Sequence, residues 1–345
     1  MRDKPSELTE LQRQLVQIVR ENPRDVAKRA VTQVGVTRQA VNHQLRRLVE
    51  RRFLTAEGQT RNRVYALATL AKSRVSLPVT EQFEEHVVWE EHVLPFLRDL
   101  PENVRDICRY GCTEMLNNVK DHSGSADVVI SVALNAAELE LGISDHGVGI
   151  FRKIKEACQL EVEREAILEL VKGKFTTDPE RHTGEGIFFT SRAFDYFALL
   201  SGTLTVIHHR HEEDWLIQDV KPLTGTHVFL RIAPWSPHTL REVFDRYSTE
   251  QDDYAFRRTH VIVGLARSES EKLVSRSQAK RILARLERFR EVNLDFKNVD
   301  TIGPAFADEI FRVFRSQHPE VKLVVYNASD EVQKMIRRAE AGAKT

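Results

Sequence analysis

Three polar side chains recur at intervals of four residues in the segment 114–122, whose sequence is EMLNNVKDH. Glu114, Asn118 and His122 would therefore share one face of a helix. A carboxylate and a carboxamide one turn apart can polarise a water molecule and offer oxygen ligands to Mg²⁺, as phosphate chemistry requires. The alternative interpretation of this spacing is an ordinary solvated polar stripe on a surface helix.

A second motif, Asp145-His-Gly147-Val-Gly149, follows the alternating apolar residues of 139–143. This order places a carboxylate at the end of a predicted buried strand. The two glycines free the backbone of the turn that comes next. A turn capped by an aspartate is the plain alternative.

A third motif places Gly184 and Gly186 at the predicted start of a helix. The N-terminal amides of such a helix favour an anion. The polar stretch before it, 174–179 with the sequence KFTTDP, predicts a mobile loop. Two glycines that open a helix are common in proteins, so this motif identifies no site by itself.

The three motifs, in this order and about 30 to 40 residues apart, resemble the N, G1 and G2 boxes of the GHKL ATPase family. That family includes gyrase, the heat-shock chaperone, MutL and the histidine kinases. The resemblance covers residues 80–235 and implies an α/β sandwich, with helices on one face of a mixed sheet, that binds ATP and Mg²⁺. It implies that Glu114 is the water-activating base, Asn118 the Mg²⁺ ligand and Asp145 the acceptor for the adenine amino group. It further implies nucleotide contacts at Gly147, Gly149, Lys174, Thr176, Gly184, Gly186 and Thr226.

Within that family the chain looks most like the sporulation anti-sigma kinases and the histidine kinases, with two departures. Asp121 occupies the position where those families often have lysine, so we expect Lys174 or Arg181 to compensate the phosphate charge. The segment around His86 and His92 lacks the residues that follow the phosphoacceptor histidine of histidine-kinase substrates.

The charge is unevenly distributed along the chain, although the net charge is zero. Residues 1–75 hold 16 Lys and Arg against 7 Asp and Glu, a balance of +9, which leaves −9 for the remainder. This asymmetry indicates a nucleic-acid-binding head on an acidic body. Apolar periodicity in the head predicts a first helix capped by Ser6 and a second helix over 26–34 closed by Gly35. A third helix capped by Thr37 and a short hairpin follow.

Helix, glycine turn, helix and hairpin together resemble a winged helix-turn-helix of the bacterial regulator kind, over residues 6–70. Such a domain would bind duplex DNA through the polar face of its third helix and through the tip of its hairpin. The predicted DNA contacts are Arg38, Gln39, Asn42, Arg46, Arg61 and Arg63. A winged helix used for protein contacts is the alternative.

Strands alternate with helices beyond residue 258, which predicts a small βαβ sheet. The predicted elements are 261–266, 273–289, 292–296, 305–314 and 321–325. The run 294–306 resembles the STAS domain of anti-sigma antagonists, in which a strand ends at an Asp-Ser-Ser-Gly turn that opens a helix. Gly303, Pro304 and Ala305 stand in the Asp-Ser-Ser positions, so the expected phosphoacceptor site has no hydroxyl.

The overall composition is that of a globular protein with two or three domains, since 41% of the 345 residues are apolar and 30% are charged. Three cysteines are too few for a disulfide framework, and their odd number disfavours an oxidising compartment. The sequence contains no uninterrupted apolar run of about 18 residues, the length that a membrane span needs. These features predict a cytoplasmic protein with no membrane partner.

The sequence therefore predicts an α/β multidomain chain with a winged helix-turn-helix in 1–75, a GHKL α/β sandwich in 80–235 and a small STAS-like domain in 255–340. The first hypothesis is an ATP-dependent transcriptional or signalling regulator that binds and hydrolyses MgATP and binds DNA. The second is an anti-sigma-type serine/threonine protein kinase that acts on a STAS partner, and the third is an ATP-gated interaction module with little turnover. The expected partners are duplex DNA, a protein bound at the STAS-like domain and a second copy of the chain.

Overall fold

The structure is a computed structural model. It describes residues 4–59, 63–175, 184–211, 214–248, 256–266 and 272–341. Three residues singled out in the sequence, Arg61, Thr176 and Arg181, lie outside the described residues, as does part of the predicted loop 174–179. The chain divides into two compact units. The first comprises residues 1–150 and 190–240, and the second comprises residues 151–189 and 241–345.

The chain begins with a short 3₁₀ turn and three helices, α1 (Glu10–Glu21), α2 (Val26–Val34) and α3 (Arg38–Glu50). The prediction that Ser6 caps the first helix is wrong. Thr9 caps α1 instead. Its side chain accepts a hydrogen bond from the amide of Gln12, and the side chain of Gln12 accepts one from the amide of Thr9, which is a capping box.

The other two predicted caps in the head are confirmed. Gly35 closes α2 with a φ of 74°, a conformation that glycine adopts without steric cost. The side chain of Thr37 accepts a hydrogen bond from the amide of Ala40 at the start of α3.

A short hairpin of β1 (Leu54–Glu57) and β2 (Val64–Leu67) follows α3. Leu15, Leu45 and Phe53 are fully buried between the three helices and this hairpin. The same core includes Ala136 and Ala137, which lie far along the chain in a turn of the larger sheet. The head therefore shares its core with that turn within the first unit.

Three strands of the larger sheet and the helices between two of them come next. These elements are β3 (Ala71–Pro78), α4 (Glu85–Val88), α5 (Leu94–Leu97), α6 (Glu102–Asn118), β4 (Asp127–Leu134) and β5 (Leu139–Asp145). A π-helical segment, Trp89–Val93, joins α4 to α5, and a second, Val119–Ser123, extends α6. β3 starts inside the range 1–75 predicted for the head, yet it belongs to the sheet.

Three helices and a long hairpin follow β5. They are α7 (Ile150–Cys158), α8 (Glu165–Lys172), α9 (Gly186–Ala193), β6 (Tyr196–His209) and β7 (Asp214–Ile232), and α10 (Leu240–Tyr247) comes after them.

The larger sheet has the strand order β3-β4-β5-β7-β6. Every pairing in it is antiparallel, so the expectation of a mixed sheet is wrong for the described residues. The tight turn between β4 and β5 and the hairpin of β6 and β7 impose this direction on two of the four pairings. α6 packs on the sheet beside β5 and β7.

The second unit contains a small parallel sheet with its helices. Its elements are β8 (Arg258–Ile262), α11 (Arg276–Leu283), β9 (Glu291–Asp295), α12 (Pro304–Asp308), α13 (Arg315–Gln317), β10 (Lys322–Tyr326) and α14 (Asp330–Ala341). A π-helical segment, Glu309–Phe314, joins α12 to α13. The strand order is β10-β9-β8, and both pairings are parallel, as the alternation of strands and helices predicts.

Two elements of this unit differ from the sequence prediction. The helix predicted over 273–289 is interrupted, because Arg285 adopts a φ of 65° after α11 ends. The strand predicted over 261–266 begins earlier, at Arg258, and gives way to a 3₁₀ turn from Val263. Among the described helices, none is both long enough and apolar enough to cross a membrane.

We expect Leu45→Ala to lower the free energy of unfolding by about 2–5 kcal/mol, because it leaves a cavity where a side chain with no exposed surface packs. Chemical denaturation of the full chain measures this loss. The matched control is Glu50→Ala, which changes an exposed position on the same helix and should shift stability by less than about 0.5 kcal/mol. Equal effects of the two variants would contradict the packing described here.

Candidate functional site

The carboxylate of Asp145 lies on the buried side of the larger sheet. Side chains alternate between the two faces of a strand, so Asp145 shares a face with Leu139, Leu141 and Ile143, all of which are buried. Asp145 itself is only 3% exposed. The last residue of β5 thus places an ionisable group where its predecessors place apolar ones.

Backbone amides hold the Asp145 side chain in position. The amide of Gly147 donates to Oδ1 of Asp145 at 2.8 Å, which closes a tight turn directly after the strand. Burial raises the pKa of the Asp145 carboxyl. The hydrogen bonds from the amides of Gly147 and Thr226 and the nearby histidines His227 and His146 lower it by a smaller amount.

The glycines of this turn are required because neighbouring groups pack closely against the backbone. A Cβ at Gly147 would overlap the carbonyl group of Ser123, and a Cβ at Gly149 would lie 2.6 Å from Oγ of Ser201. Gly149 also has a φ of 82°, which disfavours any residue with a side chain. Gly225 faces the carbonyl of Asp145 in the same way.

Thr226 lies on β7 next to the end of β5, where Ser144 pairs with His227. Its Oγ1 accepts a hydrogen bond of 3.1 Å from the amide of Ile150, the first residue of α7. The structure therefore brings together four predicted site residues, Asp145, Gly147, Gly149 and Thr226, at one end of the sheet.

Glu114 and Asn118 lie one turn apart on α6, as predicted, and both are partly exposed. Asn118 is the last residue of the α-helix, and the backbone then widens into the π-helical turn Val119–Ser123. His122 lies in this turn.

Two serines that the sequence reading missed connect this turn to the Asp145 loop. Oγ of Ser123 donates to the carbonyl of Val119 at 2.6 Å and accepts from the amide of Ser125 at 2.9 Å. Oγ of Ser125 accepts from the amide of His146 at 3.0 Å. The sequence feature that could have indicated these serines is the run Ser-Gly-Ser at 123–125, which follows the first motif directly.

The second contact between the helix and the Asp145 loop is made by backbone atoms alone. The amide of Val148 donates to the carbonyl of Ser123 at 2.9 Å. The end of the α6 extension and the loop after β5 therefore form one hydrogen-bonded structure, which fixes the helix that carries Glu114 and Asn118 relative to Asp145.

The remaining described site residues, Lys174, Gly184 and Gly186, belong to the second unit. Gly186 is the first residue of α9, as predicted. Gly184 has a φ of 71° and approaches the backbone of Phe175 too closely for a Cβ. Lys174 is half-buried, and its Nζ donates to the carbonyl of Arg288 at 3.2 Å, so its ammonium group already has a partner within this unit.

The head presents the predicted polar face of α3 to solvent. Val41, Leu45 and Leu48 of this helix are buried in the head core, and the opposite face is exposed. The exposed residues include Arg38, Gln39, Asn42 and Arg46. Arg63 is partly buried and lies over the ring of Tyr65 at 5.4 Å.

Part of the C-terminal region matches a known protein family. Residues 278–333 match a STAS-like domain of unknown function (DUF4325). This range runs from α11 to the start of α14 and lies inside the predicted range 255–340. A comparison with curated proteins found no match to the chain. The STAS-like prediction is thus confirmed for 278–333, whereas the resemblances to GHKL ATPases and to winged helices remain predictions.

We expect Asp145→Asn to stabilise the protein near neutral pH. A carboxyl whose pKa is raised on folding makes the free energy of unfolding fall as the pH rises from the usual aspartate value to the raised one. The amide of asparagine carries no charge and can still accept from Gly147. The stability gain should therefore be small near about pH 4 and larger at neutral pH.

Urea denaturation of both proteins across this pH range measures the difference. Asp106→Asn, at an exposed position on α6, is the matched control and should give no such pH dependence. A gain for Asp145→Asn that does not change with pH would contradict the burial of an ionised carboxylate.

Proposed function

We propose that the chain is an ATP-dependent regulator that binds and hydrolyses MgATP through its larger sheet and binds duplex DNA through its head. The observation that carries the nucleotide part is the buried carboxylate of Asp145, held by amides at the end of β5. An aspartate in this setting is an acceptor of fixed orientation, suited to a donor group such as the amino group of adenine.

The residues around Asp145 fit a bound nucleotide by their chemistry. The Asp145 loop is tied to the end of the α6 extension by the Val148 amide and the two serines, so its position does not depend on a ligand. Asn118 would offer an amide oxygen to Mg²⁺, whose charge would compensate that of the phosphates. Glu114, on the same face of α6, would accept a proton from water.

Within the second unit, the glycine motif has a backbone geometry that suits a phosphate. Gly186 opens α9 with backbone amides that have no helical partner, and the φ of Gly184 is one that presents an amide without a side chain in the way. In this proposal, Glu114 on α6 activates water, whereas Asp145 at the end of β5 binds the adenine amino group.

The predicted phosphoacceptor position of the STAS-like domain does not favour phosphorylation within the chain. Gly303 and Pro304 begin α12 where a hydroxyl is expected, and a Cβ at Gly303 would lie 2.7 Å from Cα of Val274. We therefore propose hydrolysis rather than phosphoryl transfer to this domain.

We expect Asp145→Asn to weaken nucleotide binding by about 10- to 100-fold, the factor that loss of a hydrogen bond to a charged acceptor produces. Glu114→Ala should leave binding nearly unchanged and lower the hydrolysis rate by about 100-fold or more, since it removes a general base. Equilibrium binding of a fluorescent ATP analogue and release of free phosphate in the presence of Mg²⁺ measure the two effects.

Glu102→Ala is the control, because it removes an exposed carboxylate from the same helix. Hydrolysis by Glu114→Ala at the wild-type rate would show that Glu114 is not the base. Phosphate that appears on an added protein, and never in solution, would favour the kinase hypothesis instead.

The DNA part of the proposal rests on the exposed face of α3. Arg and Asn side chains that project from a helix can bond to base edges in the major groove, and arginines at a hairpin tip can bond to phosphates. Because the head shares its core with Ala136 and Ala137, the full chain is the proper material for a binding experiment.

We expect duplex DNA binding by the full chain to weaken steeply as salt increases, because each contacted phosphate releases counterions. Arg61→Ala and Arg63→Ala should each reduce the slope of log affinity against log salt by up to about 0.9. Asn42→Ala should reduce the discrimination between sites by about 1–3 kcal/mol. Electrophoretic or fluorescence titrations at several salt concentrations measure both effects.

Arg20→Ala is the control, since Arg20 is on α1 and forms a 3.0 Å ion pair with Glu138. A head that binds only protein would give no binding to duplex DNA at low salt.

A further inference from the structure

A buried lysine connects α8 to the STAS-like domain. Lys172, the last residue of α8, is 1% exposed, and its Nζ lies 2.7 Å from Oε1 of Glu169. The same ammonium group donates to the carbonyls of Arg281 at 2.7 Å and Ala284 at 3.1 Å. These carbonyls belong to the C-terminal end of α11, where a positive charge is favourable and where helical partners are missing.

The carboxylate of Glu169 has a second cationic partner, Arg285. Arg285 is the residue that interrupts the predicted helix, and its φ of 65° is rare for a residue with a side chain. Strained backbone persists only where surrounding interactions hold it in place. We call Glu169, Lys172 and Arg285 the buried ion cluster.

The guanidinium of Arg285 also lies over the ring of Phe175, with its carbon 4.9 Å from the ring centroid. An arginine over an aromatic face is attracted by the ring electrons. Phe175 is in turn the residue whose backbone Gly184 approaches too closely for a Cβ. The contacts therefore run without a break from α8 through Arg285 and Phe175 to Gly184.

Neighbouring contacts hold the same stretch of chain. Oγ1 of Thr259 donates to the carbonyl of Lys172 at 2.7 Å. Nζ of Lys174 donates to the carbonyl of Arg288, and Nη1 of Arg288 donates back to the carbonyl of Lys174 at 3.3 Å. Segment 169–175 is thus fixed by side chains and carbonyls of 259–288, all within the second unit.

We propose that Arg285 is a positioning residue for the glycine motif of the second unit, through which the STAS-like domain sets the placement of Phe175 and hence of Gly184. This inference rests on the proposed nucleotide binding by Gly184. It gives the STAS-like domain a regulatory task, because any change at the end of α11 alters the buried ion cluster and with it the glycine that would face the phosphates.

The buried charges restrict the geometries that this contact can adopt. Loss of either cation would be unfavourable, because the buried carboxylate of Glu169 would lose a charge partner and no water could replace it. Coupling is also reciprocal, so a nucleotide that favours one placement of Gly184 must favour the matching arrangement of the cluster. Nucleotide binding should therefore be detectable at the end of α11.

The first test needs no nucleotide and measures amide hydrogen exchange of the full chain. Arg285→Ala should speed exchange about tenfold or more in peptides that cover 169–175 and 184–189. Arg285→Lys keeps a cation for Glu169 but cannot stack a planar group on Phe175, so it should retain the native unfolding temperature while its exchange in 184–189 still increases. Arg315→Ala, which removes an exposed ion pair with Glu340 in the same domain, is the control.

The second test measures binding of a fluorescent ATP analogue to the same proteins. We expect about tenfold weaker binding for Arg285→Ala and for Arg285→Lys, with Arg315→Ala unchanged. In the wild type, the bound analogue should slow exchange in peptides that cover 278–289.

Unchanged exchange in both Arg285 variants overturns the positioning role, whether or not nucleotide binds. Wild-type affinity in both variants overturns it as well. Failure of the wild-type protein to bind the analogue contradicts the proposed function itself, and the exchange experiment distinguishes this outcome from the first two.

Discussion

The carboxylate of Asp145 on the buried face of the larger sheet is the constraint on which the first unit depends. Taking an ionisable group out of water is unfavourable unless polar groups meet it, and Asp145 meets backbone amides at the point where β5 ends. The turn that supplies these amides needs glycines at 147 and 149, because the backbones of Ser123 and Gly225 press against it. The end of β5, the turn after it and the end of the α6 extension therefore depend on one another.

The second unit has a comparable arrangement built from charged side chains. Lys172 caps α11 from the end of α8, and Glu169 lies between Lys172 and Arg285. Such clusters contribute little net stability relative to apolar packing, but they accept only a few geometries. The STAS-like domain therefore holds segment 169–175 in a defined conformation.

Several of these features could be predicted from sequence because they depend on local patterns. Alternation along 139–143 placed Asp145 at a strand end, Gly35 and Thr37 marked helix ends, and the repeated strand and helix pattern beyond 258 predicted the parallel sheet. The exposed face of α3 followed from its periodicity in the same way.

Other features depend on contacts between distant parts of the chain, and no local pattern contains them. The π-helical turn at Val119–Ser123 is stabilised by the Asp145 loop, and the break at Arg285 is stabilised by Glu169 and Phe175. The core shared by the head with Ala136 and Ala137 joins positions more than 80 residues apart. The antiparallel direction of every pairing in the larger sheet likewise overturned an expectation taken from a family resemblance.

The central claim is that Asp145 selects an adenine nucleotide, and competition between ATP and GTP for the protein tests it most directly. Adenine offers a donor amino group where guanine offers an acceptor oxygen, and an acceptor facing the ionised carboxylate would be repelled. The account predicts that ATP displaces a bound fluorescent ATP analogue at concentrations at least tenfold lower than GTP, a ratio of about 1.4 kcal/mol. Equal displacement by the two nucleotides, or none by either, would contradict it.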